Sequence, residues 1–292
     1  MKAIGFEIAG GSIVGRDHVG GKEILLGKNS HDAFIMQGTP DECLIGLVCD
    51  GSGSKPHSEV GAKIGANLLA TNIRQLYPRF ARGIGPDQPL PDEFFERVRQ
   101  DTLATIRGLA LSMTGDASLS KTVENYFYFS TLGFLITKPW TYVFGIGDGT
   151  YLVNGVERRL EPEEGNKPPY MSYQLLDNEF SRDKPHLLRF KVHETLRTFD
   201  VDSLLIGSDG VGQLIDFQER EIPGMDGKLV GPASQFWTQD KFFKNPDAIR
   251  RRLSLINRQQ WWSGAKASAT CQDRLLEDDT TLVVARRERV IE

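Results

Sequence analysis

The chain has 292 residues, with 35 Lys and Arg against 39 Asp and Glu and a net charge of −4. That balance argues against a nucleic-acid surface or a polybasic membrane anchor, and no apolar run approaches the roughly 18 residues that a membrane span needs. Three cysteines, Cys43, Cys49 and Cys271, lack C-x-x-C spacing, which excludes a disulfide framework or a cysteine zinc site and points to a reducing cytoplasm.

The N-terminal MKAIGFEIAGG carries Glu7 and no long apolar core, so no signal peptide is expected. The first fifty residues read as strands. IGFEIAGGSIV, EILLG and the run from Leu44 to Cys49 are short, rich in β-branched residues and bounded by Gly or polar pairs. Ser58 to Tyr77 reads as a helix with Ser58 as N-cap. Val60, Ile64, Leu68, Ile73 and Leu76 recur there near a 3.6-residue period. A second helix runs from Asp92 to Met113. Pro91, Asp92 and Glu93 suit its first turn, and Phe95, Val98, Ile106, Leu109 and Met113 share a face.

Strands return with YFYFSTLGFLIT, WTYVFGIG and TYLVNGVE, and Asn154-Gly155 is a tight-turn signal. LLRFKV and DSLLIGS read as further strands. Asn245-Pro246 opens a third helix as N-cap and N1, with Ile249, Leu253 and Ile256 inward and the basic run Arg250 to Arg252 on a solvated face. Phe236, Trp237, Trp261 and Trp262 read as core anchors for that helix. TLVVARR closes the chain as a strand. Two consecutive helices between strand groups are wrong for a doubly wound βαβ fold and favour an α+β arrangement with mainly antiparallel sheets. No repeat or low-complexity linker divides the chain, so residues 1–292 read as a single domain.

The familiar phosphate loops are absent. Gly20-Gly21-Lys22-Glu23 lacks the frame of a Walker A loop, and Gly145-Ile146-Gly147 lacks the third Gly of a dinucleotide fingerprint. Ile206 stands where a nucleophile elbow needs Gly, and the five histidines are scattered, so a histidine-rich zinc site is not expected.

What recurs is an aspartate at the end of an apolar strand. LVCDG ends on Asp50, GIGDG on Asp148 and IGSDG on Asp209, while Asp278 and Asp279 open the last strand. Strand ends converge at one rim of a sheet, where side chains can meet on a rigid support. Clustered carboxylates repel unless a positive charge sits among them, and oxygen-only ligands suit Mg²⁺ or Mn²⁺. Asp-Gly is equally a turn dipeptide, and Asp148-Gly149 in particular sits between two strands as a hairpin turn would. Spacing leaves the two readings open.

The ordered series NSHDAF, LVCDGSGS, GIGDGTYLV, IGSDGVG and EDDTTLVV resembles the motifs of metal-dependent PP2C-type protein phosphatases, with the bacterial branch the nearer likeness, over about residues 10 to 286. The resemblance implies a four-layer αββα sandwich, two antiparallel sheets flanked by helices. It implies hydrolysis of phosphoserine or phosphothreonine by a water bridging two Mn²⁺ or Mg²⁺ ions, without a phosphoenzyme, and two to three ions in all. Asp50 would bridge two ions and the Gly51 carbonyl would bind one of them. Asp209 and Asp278 would complete the first site, and Asp148 with Asp209 a third, weaker one. Asp32 would act near the second ion through waters, and Asp279, where the family has Asn, is a neighbour of the ligand. The implied partner is a phosphorylated protein substrate, with room for a cognate Ser/Thr kinase.

Departures qualify this. The family's phosphate-binding Arg is missing before NSHDAF. Lys28 is the nearest cation, with Arg16 further back, and Lys serves as a point charge and not as a fork. Ser52 stands where some relatives carry a general-acid His, His57 reads as a surface-loop residue, and Thr150 replaces a common Arg. These gaps keep two other functions in view: a non-catalytic binding or regulatory module of the same fold, and a phosphatase for small metabolites. Substrate choice is expected in the loop from Glu161 to Tyr173 or the stretch from Phe217 to Asn245.

Overall fold

The computed structural model describes residues 2–19, 29–39, 42–85, 87–115, 117–161, 168–262, 270–272 and 274–288. Among them the strands form two main antiparallel sheets. One has six strands in the order β1 (Lys2–Ala3), β2 (Phe6–Ile13), β13 (Thr280–Arg287), β10 (Ser203–Gly207), β7 (Gly149–Val153) and β8 (Val156–Leu160). The other has five, in the order β3 (Ala33–Thr39), β4 (Cys43–Gly51), β5 (Phe129–Thr137), β6 (Trp140–Ile146) and β9 (Lys191–Arg197). A short separate pair joins β11 (Gln260–Trp262) and β12 (Thr270–Gln272).

Each central strand is buried on both faces, which is why it reads as an apolar run and not as an alternation. In β4, Leu44 and Val48 meet Phe6, Ile8 and Leu204 of the opposite sheet, while Ile45, Leu47 and Cys49 point the other way. That outer face is covered by α2 (Ser58–Gly83), α3 (Asp92–Met113) and α4 (Leu119–Tyr126). In β13, Val283 and Ala285 face the inter-sheet core and Leu282 and Val284 face outward. There they meet α6 (Gly210–Asp216), α7 (Gln235–Thr238), α8 (Lys241–Lys244) and α9 (Ala248–Ile256). The layers run helix, sheet, sheet, helix, as the sequence led one to expect. Two small helices, α1 (Arg16–Val19) and α5 (Glu179–Asp183), lie outside these layers.

Several local expectations change. Ser58 does not cap α2: His57 holds the N-cap position, and the Ser58 hydroxyl donates instead to the Ser52 carbonyl at 2.8 Å. The helix runs past Pro78 to Gly83, because Leu76, Tyr77 and Phe80 still pack on the core and offset the hydrogen bond that proline forfeits. Leu109 and Met113 of α3 are exposed. LLRFKV is not a strand throughout. Pro185 opens a 3₁₀ turn, and β9 begins only at Lys191. Asn245 accepts the Asp247 N–H at 2.9 Å, and α9 starts at Ala248. Phe236 is buried as expected, and Arg250 and Arg251 pair with Asp247 on an open face, but Arg252 departs from the solvated run, turning inward to Gln235 Oε1 at 2.9 Å and the Val230 carbonyl at 2.7 Å. EILLG, and the side chains of Trp261 and Trp262, lie outside the described residues.

Two features place the site. Asn154 and Gly155 both have positive φ, 49° and 81°, as a tight hairpin turn between β7 and β8 requires. Asp148-Gly149 is no such hairpin: β6 belongs to the five-stranded sheet and β7 to the six-stranded one, so Asp148 sits where the chain crosses between sheets.

Candidate metal centre

Strand register gathers the carboxylates. Ala33 pairs with Cys49 across β3 and β4, which puts Asp32 and Asp50 side by side at the strand ends. Asp50 in turn pairs with Ser130 of β5, the residue whose hydroxyl serves Asp148. In the other sheet, Gly207 pairs with Leu282 and Thr280 with Ile13, so Asp209, Asp278, Asp279 and the segment after β2 share the same rim. That segment fits only because residue 15 is glycine: a Cβ there would lie 2.2 Å from the Asp278 carbonyl carbon. α1 is then latched through Arg16 N–H to Leu276 O and Asp17 N–H to Glu277 O, both at 2.9 Å.

The electrostatics show how closely the carboxylates crowd. Burial pushes Asp50 well above the usual carboxylate range, and the charges of Asp32, Asp209, Asp148 and Asp278 push it further. Burial, with Asp279 and Asp209 nearby, carries Asp32 up to about 8. Desolvation of its carboxyl, with Asp278 and Asp148, carries Asp209 up to about 7, although the residue, like Asp278, keeps an open side to solvent. Asp148 and Asp278 rise too, again chiefly through desolvation, although Asp278 keeps an open side to solvent. Asp279 goes the opposite way. Burial would raise it, but His18 and the N–H groups of Gly15 and His31 hold it below the ordinary range.

Both carboxylate oxygens of Asp32 are buried without a hydrogen-bond partner among the described residues. The nearby hydroxyls are committed elsewhere, Thr281 to Ser12 at 2.6 Å and Ser208 to the Asp279 carbonyl at 3.3 Å. A buried carboxylate left so is costly unless it is protonated or meets a cation. The donor set of Asp32, Asp50, Asp148, Asp209 and Asp278 is all oxygen, and among the described residues no Lys or Arg side chain pairs with any of the five, so a hard divalent cation fits it. The structure thus places the aspartates that the sequence singled out along one rim, near enough for their charges to act on one another, while among the described residues only Asp278 and Asp279, with His18, bring their ligand atoms within 4.8 Å.

The cations expected to bind phosphate are not delivered in the same way. Lys28 lies outside the described residues. Arg16 is engaged by Asp17 at 3.1 Å and Glu277 at 2.9 Å. His57 is exposed and stacks on Tyr126, in keeping with a surface-loop role. Thr150 is buried. Ser52, with no evident role in the sequence, helps to fold its own loop: its carbonyl accepts from Ser58, and its hydroxyl lies 3.0 Å from that of Ser54.

Sequence reasoning noted the GRDH and NSHDAF segments but gave their histidines no role. His18 and His31, distant from each other in function as far as sequence could tell, stack at 4.7 Å between ring centroids. The ligating atoms of His18, Asp278 and Asp279 all lie within 4.8 Å of one another. A cavity of about 920 Å³ opens beside this rim at Gly147, lined in part by Arg159, Glu161, Pro169, His186, Arg189 and Phe190.

A family model described as protein phosphatase 2C matches residues 19–242, which include Asp32, Asp50, Asp148 and Asp209 and stop short of Asp278. No curated protein matches the chain. A bacterial serine phosphatase superposes with a TM-score of 0.51 at 14% identity, over 98% of this chain and 100% of that one. The serine/threonine phosphatase Stp1 from Staphylococcus aureus does so with 0.50 at 14%, over 100% and 98%. Serine-threonine phosphatase 2C from Toxoplasma gondii gives 0.50 at 12%, over 98% and 96%. At such identities these three likenesses are of fold.

Proposed function

Because this chain belongs to the protein phosphatase 2C family, we propose that it is a Mn²⁺- or Mg²⁺-dependent phosphatase acting on phosphoserine and phosphothreonine in proteins. The observation that carries the reading is Asp32: two buried, unpartnered carboxylate oxygens within a cluster of carboxylates that press one another's pKa upward. A chain that kept such a cluster without a cation would keep a standing penalty.

In this reading Asp50, the Gly51 carbonyl, Asp209 and Asp278 hold two cations, Asp148 with Asp209 holds a third, and Asp32 positions water around them. Bound there, the cations would lower the pKa of a water and neutralise charge on the phosphoryl oxygens. The protein's part is placement. Asp50 and Asp209 come from different sheets, so the rim between the sheets fixes their separation. The cavity at Gly147 opens beside Asp148 and would offer Arg159, Arg189 and Phe190 to the residues flanking a phosphorylated side chain.

The test is hydrolysis of a phosphothreonine peptide with and without Mn²⁺, in the wild type and in Asp50→Asn. Activity is expected only with metal, and the variant should lose it by about a hundred- to a thousandfold if charge stabilisation at the cations is the main term. Metal-independent turnover, or full activity in the variant, would sink the proposal. A wild type that binds no Mn²⁺ at millimolar concentration would favour a non-catalytic module, and faster turnover of sugar phosphates would favour a metabolite phosphatase.

A further inference from the structure

Dephosphorylating a protein takes more than a cation centre: the chain that carries the phosphoryl group has to be held beside it. The unused edge of an outer strand can hold an extended chain through backbone hydrogen bonds. β8 is such a strand, at the end of the six-stranded sheet, and among the described residues nothing pairs with its outer side.

Register tells which of its groups are unused. The Asn154 N–H goes to the Ser203 carbonyl at 2.9 Å, toward β10. Backbone groups alternate along a strand, so Leu152 and Thr150 also turn to β10, while Val153, Tyr151 and Gly149 turn to β8. Their partners across the hairpin are Val156, Arg158 and Leu160. Glu157 and Arg159 therefore aim their N–H and C=O groups away from β7. The Glu157 carbonyl accepts there from the Arg158 side chain at 2.9 Å, an exposed contact that another strand would displace.

We propose that this edge takes the phosphorylated substrate as an added antiparallel strand, formed by the residues on the C-terminal side of the phosphoserine or phosphothreonine. This rests on the phosphatase reading above and names how the same site holds its substrate. β8 runs toward the rim, because its last residue, Leu160, lies opposite Gly149, the neighbour of Asp148. A chain bonded to Glu157 and Arg159 is thus aimed at the carboxylates and reaches them within about four residues, at a rise near 3.4 Å each. Antiparallel pairing is the more stable arrangement, and it runs the added chain away from the rim. The phosphorylated residue is then at the N-terminal end of the added strand, beside the carboxylates.

The surroundings of the edge suit the same occupant. Leu160 packs on the core between the sheets, so its face of β8 turns toward the five-stranded sheet. Every second side chain of an added strand would turn the same way, toward the cavity of about 920 Å³. Its walls carry Arg189 and Lys191 on one side and Asp92 and Glu93 on another, and none of these four forms an ion pair among the described residues. Such a lining matches charged peptide side chains of either sign. The other outer strands fit less well. β1 has two residues, β3 is not among the walls of the cavity, and β9 changes register between Val192 and Glu194.

The experiment methylates the backbone nitrogens of a phosphothreonine peptide one at a time and follows its hydrolysis in Mn²⁺. C-terminal to the phosphothreonine, every second methyl group should raise KM about five- to tenfold, as the loss of one hydrogen bond would. The alternate ones, and those on the N-terminal side, should leave KM near its starting value. An absence of alternation, or alternation on the N-terminal side alone, would overturn the proposal. Glu157→Pro deletes an outward N–H without touching the ladder to β7. It should raise KM by a similar factor and keep kcat, whereas Glu157→Ala, which retains that N–H, should do neither. Equal KM in the two variants would overturn the proposal, and so would a change of oligomeric state in Glu157→Pro with KM unmoved, which would give the edge to a second copy of the chain. Turnover of p-nitrophenyl phosphate keeps the two levels apart. A wild type inactive on it and on the peptide would overturn the phosphatase reading, and one active on it alone would overturn only this proposal. Hydrogen exchange reads the edge without metal or turnover. The amides of Glu157 and Arg159 should exchange quickly and those of Arg158 and Leu160 slowly, and the dephosphorylated peptide at millimolar concentration should slow the first pair. Slow exchange of that pair in the free protein, or no slowing by the peptide, would overturn the assignment.

Discussion

Two carboxylates at one rim, Asp32 at 4% exposure and Asp279 at 2%, are equally hidden from water and behave as opposites. Asp279 is met on both oxygens, by Gly15, His31 and His18, and stays ionised below the usual range. Neither oxygen of Asp32 has a partner in good hydrogen-bond geometry among the described residues; the Thr281 and Ser208 hydroxyls lower it only in part, and it rises to about 8. The difference teaches that burial does not mark a cation ligand. An unmet hydrogen-bonding demand does, because only a proton or a metal can answer it. Asp279 belongs to the framework, tying α1, the turn before β3 and the start of β13 into one corner, and Asp32 belongs to the centre that the framework surrounds.

The sharpest way to break this comparison is Asp279→Ala. It leaves the buried Gly15 and His31 N–H groups without an acceptor and His18 without its carboxylate. Each orphaned donor costs about 1–3 kcal/mol, so a loss of roughly 2–6 kcal/mol is expected in urea unfolding of the metal-free protein. A loss under about 1 kcal/mol would mean that Asp279 is no framework residue and that the two carboxylates are alike.

A smaller effect sharpens the other half. The folded-state pKa values of Asp32 and Asp209, about 8 and about 7, lie above those of an unfolded chain, near 4. Between these limits the folded state binds more protons than the unfolded one, so stability falls as pH rises. The thermal midpoint of the metal-free protein should therefore drop by several degrees from pH 5 to pH 8. Asp32→Asn should flatten that slope, and Mn²⁺ should reverse it. A midpoint that rises over this range in the metal-free wild type would show that the cluster is relieved by some other group.

How far this corner can be read from sequence follows from the physics of each part. Strand-end aspartates were legible because an apolar run that stops on Asp-Gly is a local signal, and so were the long helices, whose periodicity is local too. The αββα layering came from resemblance, and the register that sets Asp32 beside Asp50 is consistent with it. The Asp148-Gly149 ambiguity could not be lifted locally, since a hairpin and a crossing between sheets use the same dipeptide; only the sheet membership of β6 and β7 decides it. Ser58 misled as a cap because its hydroxyl serves the Ser52 carbonyl, a tertiary partner that no capping pattern encodes. The pairing of His18 was illegible for the same reason: its partner Asp279 is at the far end of the chain.

Asp148 stands between the two extremes and gives the gentlest test. Burial raises it, its own backbone and the Ser130 hydroxyl pull it back down, and Asp278 and Glu161 repel it. Its demand for a cation is therefore partly met by the protein. Asp148→Ala should lower phosphopeptide turnover only several-fold and, in calorimetric titration with Mn²⁺, remove at most the weakest binding event. Asp50→Asn, placed where four other carboxylates converge, should remove the tight ones. If Asp148→Ala abolished all Mn²⁺ binding, partial satisfaction by Ser130 would count for nothing, and the rule drawn from Asp32 and Asp279 would fail at the one residue that lies between them.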